Sequence, residues 1–356
     1  MQKSNRKILV FYASCGEGHK IVASALKEKL KVSCYDILDF CPYFFKLFYS
    51  SGYRLLVRYF PSLWKIIFQL SKKDIFKKGL FLWHCLIFKR FFSFILKEIP
   101  FMVISTHFFI PPLITRLQKK IKIKNIVVVT DFGVHPLWGE GDVDIYFVAT
   151  SFTKNNLINL GIDEEKIIVS GIPLREGFSR DINEEELRKK LHVEKEKVLL
   201  FFSSNIGNIP FIERVVPLLD EEFDIFVIYG KNKKLRKTLR KFSSLKLFSY
   251  YKNIWEIMRL SLAIITKPGG VTISEAIYLK KPLIFTHLIG GQEEENYYLL
   301  KRWGVAFKVR NGRELMEKIE YIKNNYPQIL TKFPPSQNAL EVIEEKLEKL
   351  LCNNDC

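Results

Sequence analysis

One local pattern recurs along the whole chain: a short apolar run ends in a turn, and a stretch long enough for a helix follows. In the first half the runs are Lys7–Ser14, Phe101–Thr106, Ile126–Thr130, Val143–Thr150 and Ile167–Gly171. In the second half they are Val198–Ser204, Ile225–Gly230, Leu245–Tyr250, Ala263–Lys267, Pro282–His287 and Val305–Val309. Unbroken apolar runs suit strands covered on both faces, and a parallel sheet needs helical crossovers between them. The pattern therefore predicts an α/β chain with parallel sheets. At 356 residues the chain exceeds what one core supports, so two domains are expected. The polar run Arg175–Asn183 places them at about 1–175 and 176–325. A tail over 326–356 should hold a helix at Gln337–Leu351, with Leu340, Ile343, Leu347, Leu350 and Leu351 on its apolar face.

Charge narrows the partners. The chain carries 56 Lys+Arg against 38 Asp+Glu, a net charge of +18, which calls for an anionic partner: nucleic acid, anionic lipid or phosphate. Half of that excess lies in 42–100, with eleven Lys+Arg, Asp74, Glu98 and eleven Phe. On a helix, Arg54, Arg58, Lys65 and Lys72 fall in one narrow sector, and Trp64 lies among the aromatics opposite. Such a segment fits the interface of an anionic bilayer, or else a core helix pair with a solvated basic rim. The longest uncharged run, Ile99–Thr115, is broken by Pro100, Pro111 and Pro112. It reads as a strand and a loop, not a membrane span. Ile8–Ala13 is too short for a signal-peptide core. The six cysteines form no CxxC pair and read as free thiols of a reducing compartment.

Four turns at strand ends carry the chemistry. Cys15-Gly16-Glu17-Gly18-His19 joins the first strand to a helix, and His19 is either a base of near-neutral pKa at the sheet rim or a capping or loop histidine. Position 21 is Ile, so the loop is not the dinucleotide fingerprint. Thr130-Asp131-Phe132-Gly133-Val134-His135 follows the third run, and Asp131 and His135 could orient each other or a substrate hydroxyl. His107 follows another strand end, but no His or Cys spacing points to a metal. Asp142-Val143-Asp144 opens a strand and reads as structural. Thr266-Lys267-Pro268-Gly269-Gly270-Val271-Thr272 turns into a helix expected to start near Thr272, with Glu275 one turn in. The free N–H groups of Gly270, Val271 and Thr272 would hold a pyrophosphate, and Glu275 vicinal hydroxyls. Thr272 and Glu275 also fit a capping box. Gly290-Gly291-Gln292-Glu293-Glu294-Glu295-Asn296 gathers amides and carboxylates at a strand end, suited to sugar hydroxyls or to a solvated helix start.

Five ordered segments resemble one family: SCGEGHKIVASAL (14–26), TDFGVHPLWGEGDVDIYFVAT (130–150), SGIPLREGF (170–178), TKPGGVTISEA (266–276) and GGQEEENYYLL (290–300). They are similar to the monogalactosyldiacylglycerol synthases and the processive diacylglycerol glucosyltransferases, relatives of the lipid II N-acetylglucosaminyltransferase. The resemblance implies a GT-B glycosyltransferase fold, two Rossmann-like domains facing a cleft. It further implies a UDP-hexose donor, a diacylglycerol-type acceptor, inversion at the anomeric carbon, no catalytic metal or other cofactor, and a peripheral place on the cytoplasmic side of the cell membrane. By the same resemblance His19 is the base, and Asp131 and His135 face the acceptor. Gly18, Ser203 and Asn205 join the donor-binding loops, and Asn253 and Ile254 read the uracil. Gly269, Gly270, Val271 and Thr272 bind the pyrophosphate, Glu275 the ribose, and Gln292, Glu293 and Asn296 the hexose. Ser203–Gly207 departs from the family's glycine-rich turn, with one glycine. Two other readings stay open. A UDP-sugar 2-epimerase shares the fold and would act without lipid. A non-enzymatic membrane or nucleic-acid binding protein would explain the charge but not the motifs.

Overall fold

A computed structural model describes residues 6–14, 16–47, 49, 52, 86–202, 212–288 and 291–352. The chain divides into two compact units: Met1–Arg175 with Gly290–Gln292 and Gln337–Cys356, and Glu176–Ile289 with Glu293–Ser336.

The first unit holds β1 (Ile8–Tyr12), β2 (Ser33–Asp36), β3 (Met102–Ser105), β4 (Lys124–Val128), β5 (Ile145–Val148) and β6 (Ile167–Val169). They form one parallel sheet in the order β2-β1-β3-β4-β5-β6. The order reverses between β1 and β3, and a crevice opens at the carboxyl ends of strands at such a point. β2 was not expected: Ser33-Cys34-Tyr35-Asp36 has no apolar run, because an edge strand needs little cover. α1 (Glu17–Leu30) lays Val22, Ala23, Ala25 and Leu26 inward. α2 (Lys89–Glu98) buries Phe91 and Ile95 beside Phe11 and Phe88. The loop expected after β3 is a helix, α3 (Ile110–Gln118), with Pro111 and Pro112 in its first turn. Proline suits that turn, because its fixed φ is helical and a first-turn N–H would have no partner.

The second unit opens with α4 (Glu184–Lys190) and holds β7 (Lys197–Phe202), β8 (Phe223–Ile228), β9 (Leu245–Phe248), β10 (Ser261–Thr266), β11 (Leu283–Phe285) and β12 (Ala306–Lys308). The parallel order β12-β11-β10-β7-β8-β9 is that of a dinucleotide-binding sheet, with its reversal between β7 and β10. α5 (Ile254–Leu260) precedes β10, α6 (Gly270–Tyr278) follows it, and α7 (Gln292–Trp303) follows β11.

The residues after 325 do not stand apart. The stretch to Ser336 stays with the second unit, and α8 (Ala339–Cys352) belongs to the first. α8 buries Ala339, Leu340, Ile343 and Leu347 and contacts α1, where Lys29 pairs with Glu344 at 2.7 Å. The Arg6 guanidinium donates to the Leu351 carbonyl at 2.9 Å. An amphipathic helix has to cover its apolar stripe, and the first unit supplies the surface.

Candidate functional site

In the first unit, three histidines stand at the carboxyl ends of strands β1, β3 and β4. His19 lies in the first turn of α1, whose N-cap, Gly16, lends no side chain. Its Nδ1 is 2.6 Å from the Thr106 carbonyl, which can only accept, so Nδ1 bears the proton. Thr130 Oγ1 lies 3.0 Å from the same nitrogen, and the Thr106 hydroxyl donates to the His19 carbonyl at 3.1 Å. In the neutral ring that leaves Nε2 with its lone pair, the form a general base needs. Burial pushes the imidazole pKa down to about 4, although Thr106 opposes the shift. An ordinary histidine pKa near neutrality was the expectation from sequence, and burial at the strand ends is what displaces it.

The other two rings have the opposite tautomer. The Phe109 N–H donates to His107 Nδ1 at 3.3 Å, and the Leu137 N–H to His135 Nδ1 at 3.2 Å. His107 meets His19 edge-on with ring centroids 4.7 Å apart. His135 is buried and caps the short turn Pro136–Gly139. Asp131 itself is half-buried. Asp144 is structural: it accepts from Lys124 Nζ at 2.7 Å and from the Asn125 N–H at 2.8 Å. Among the described residues no three His, Cys, Asp or Glu side chains gather as a metal site would require.

In the second unit the turn after β10 runs into a helix whose start no side chain caps. α6 starts at Gly270, two residues before the expected start, and Gly269 is its N-cap with no side-chain hydrogen bond. Thr272 is thus a first-turn residue, and the capping box does not form. The first-turn N–H groups of Gly270, Val271 and Thr272 have no intrahelical acceptor, and the helix dipole adds positive potential there. Glu275 is buried, 3% exposed, one turn in. Asn296 of α7 is fully buried and donates to the Pro268 carbonyl at 3.0 Å, so it holds the turn in place. Glu293 forms an ion pair with Lys267. Gln292 opens α7 beside it in sequence, half-buried.

Asn253 and Ile254 belong to a third group, whose centre the sequence reading missed. Glu256 of α5 is 1% exposed, yet its carboxylate accepts from Lys190 at 2.7 Å, Tyr251 at 2.7 Å and Asn253 Nδ2 at 2.9 Å. Burial and this carboxylate hold the Tyr251 phenol well above its usual range. Only the fold reveals the group, because Lys190 comes from α4, 66 residues away. Ser203, Asn205, Arg54, Arg58, Trp64, Lys65 and Lys72 lie outside the described residues. In the described parts of 42–100, Tyr43, Phe44, Leu86 and Ile99 are 73%, 83%, 63% and 63% exposed, and Lys89, Arg90 and Lys97 are exposed as well. Phe88, Phe91 and Ile95 are core, so the described parts of that segment divide between core and exposed apolar surface.

Residues 19–174 match the family model of monogalactosyldiacylglycerol (MGDG) synthase, and 208–348 that of the glycosyltransferase family 28 C-terminal domain. The chain is 30% identical over 349 residues to a processive diacylglycerol beta-glucosyltransferase of Bacillus cereus, covering 92% of this chain and 88% of that one. Among solved structures it resembles CalG4, the calicheamicin glycosyltransferase, with a TM-score of 0.64 at 12% identity, covering 98% and 99% of the two chains. It also resembles the UDP-GlcNAc 2-epimerase of Neisseria meningitidis bound to UDP-GlcNAc, at 0.57 and 15% over 96% and 100%. The fold is thus that of the GT-B glycosyltransferases, and a fold shared with an epimerase does not by itself choose the reaction.

Proposed function

This chain belongs to the family of monogalactosyldiacylglycerol synthases and processive diacylglycerol glucosyltransferases, and on that premise we propose that it transfers a hexose from a UDP-sugar to a diacylglycerol-type lipid at the membrane surface, with inversion. The observation that carries the donor half is the uncapped start of α6 with Glu275 buried one turn in.

The acceptor hydroxyl attacks the anomeric carbon from the face opposite the phosphate. One C–O bond forms, the sugar–phosphate bond breaks, and the hydroxyl proton passes to His19 Nε2. Thr106 and Thr130 hold the ring in the tautomer that leaves this nitrogen unprotonated. Asp131 and His135 line the acceptor side. The charge that grows on the leaving UDP meets the N–H groups of Gly270, Val271 and Thr272, which are in place before the reaction. Glu275 takes the ribose hydroxyls, and the backbone at Asn253 and Ile254 reads the uracil. Gln292 and Glu293 take hydroxyls of the hexose, while Asn296 works through the turn. Gly18 and the Ser203–Asn205 loop complete the donor side, and no resident metal or cofactor enters the reaction.

The enzyme would work as a peripheral protein on the cytoplasmic face. No helix of the described residues is long and apolar enough to cross a membrane. The exposed Tyr43, Phe44, Leu86 and Ile99, with Lys89, Arg90 and Lys97, suit a bilayer interface, and Arg54, Arg58, Trp64, Lys65 and Lys72 would extend that surface. The deciding experiment supplies radiolabelled UDP-glucose and UDP-galactose with diacylglycerol in mixed micelles and identifies the product. Labelled glycolipid is the expected result. No transfer from either donor by folded protein, or epimerised UDP-sugar formed without lipid, would replace this reading.

A further inference from the structure

The donor turn contains a cation that the mechanism above leaves idle. Lys267 leaves the end of β10, and its ammonium lies 4.0 Å from the place a Cβ would occupy on Gly269, the N-cap of α6. A cation over the positive end of a helix is unfavourable unless an anion sits between or beside them. Here the anion is the Glu293 carboxylate from the first turn of α7. The two side chains are 26% and 13% exposed, so water screens their attraction only in part. A third group senses both: His287, after β11, has its imidazole pKa lowered by burial and by Lys267 and raised by Glu293. Ammonium, carboxylate and the open first turn of α6 therefore meet in one place.

We propose that Lys267 is a ligand of the donor diphosphate and that Glu293 is its internal competitor, released to the hexose when the diphosphate takes the lysine. The inference rests on the donor reading of α6. Before donor binds, the carboxylate occupies the ammonium. A diphosphate at the helix start brings more negative charge than one carboxylate and displaces it. The freed carboxylate then accepts hydrogen bonds from sugar hydroxyls, so UDP alone pays the exchange without the return and a UDP-sugar recovers it. During transfer the departing phosphate gains charge, and its contact with Lys267 strengthens in the transition state.

This arrangement predicts opposite signs for one substitution. Glu293→Gln keeps the shape and removes the competing charge. It should bind UDP roughly three- to ten-fold more tightly, and the advantage of UDP-glucose over UDP should shrink by a similar factor. Lys267→Met should weaken UDP roughly ten- to a hundred-fold and lower kcat, whereas Lys267→Arg should stay within a few-fold of wild type. In the double variant Lys267→Met/Glu293→Gln the gain from Glu293→Gln should vanish. Calorimetry of the full chain with UDP and UDP-glucose, without acceptor, reads all of these, and thermal melts check folding. Equal weakening of UDP and UDP-glucose by Glu293→Gln overturns the competition. A gain that survives in the double variant, or equal losses in Lys267→Met and Lys267→Arg, removes Lys267 from the diphosphate. Wild-type protein that binds neither UDP nor UDP-glucose removes the donor reading itself.

Discussion

At the scale of single residues, His19 carries the sharpest expectations. Its base-competent nitrogen is set by Thr106 and Thr130, and neither threonine has a motif of its own. The sequence marks the histidine and its neighbours at strand ends, but which nitrogen holds the proton depends on a carbonyl 87 positions away. His19→Ala should lower turnover roughly 10²–10⁴-fold with UDP affinity retained, measured by initial rates and calorimetry. The acidity of the ring gives a second check. With the pKa lowered from 6.5 to about 4, the imidazole stays neutral until the medium is acid. In the free enzyme the acid limb of kcat/KM should therefore fall near pH 4, not 6.5. A limb near 6.5 in the wild type would mean instead that the ring is solvated. Glu275→Ala should weaken UDP by about 1.5–3 kcal/mol, as for hydrogen bonds to a charged group. An unchanged affinity would leave that glutamate without a ligand role.

At the scale of elements, periodicity located the strands well and the helix starts less well. All eleven apolar runs overlap a strand, because a doubly covered strand cannot hide its composition, although four of the strands begin one or two residues before the run. β2 escaped because an edge strand of four residues needs no apolar run. α6 begins at Gly270 where capping rules point to Thr272, with Gly269 as an N-cap that has no side chain to fill the first-turn N–H groups. α5 shows how an element can be held from outside. Trp255 packs so closely on Gly177 that a Cβ there would stand 2.0 Å from its indole nitrogen. Gly177→Ala should cost about 1–3 kcal/mol by overpacking, read from urea unfolding, with a return toward wild type when Trp255 is made smaller. Glu256→Ala should cost about 1–3 kcal/mol, because it takes the acceptor from the Tyr251 hydroxyl and the Asn253 amide while water can take over the exposed Lys190, and the same unfolding curves would show it.

For the whole molecule, a net charge of +18 points to an anionic partner without saying which surface would meet it. Replacing Arg54, Arg58, Lys65 and Lys72 together by Glu should abolish sedimentation with phosphatidylglycerol liposomes while UDP binding persists. Full sedimentation of that variant would move the docking surface to another basic stretch, Lys231–Lys241, which holds five Lys and two Arg. The two-unit division is legible because each unit repeats a full sheet, whereas the destination of α8 is not. Its apolar stripe says that it must cover something, and nothing in its own sequence says what. That destination has a consequence for synthesis. The first unit is begun by β1 and finished by α8, with the whole second unit made in between. On the ribosome, the unit that emerges before the other is completed after it. Until α8 arrives, the outer face of α1 is uncovered, and a folding factor or an early protease would find it there.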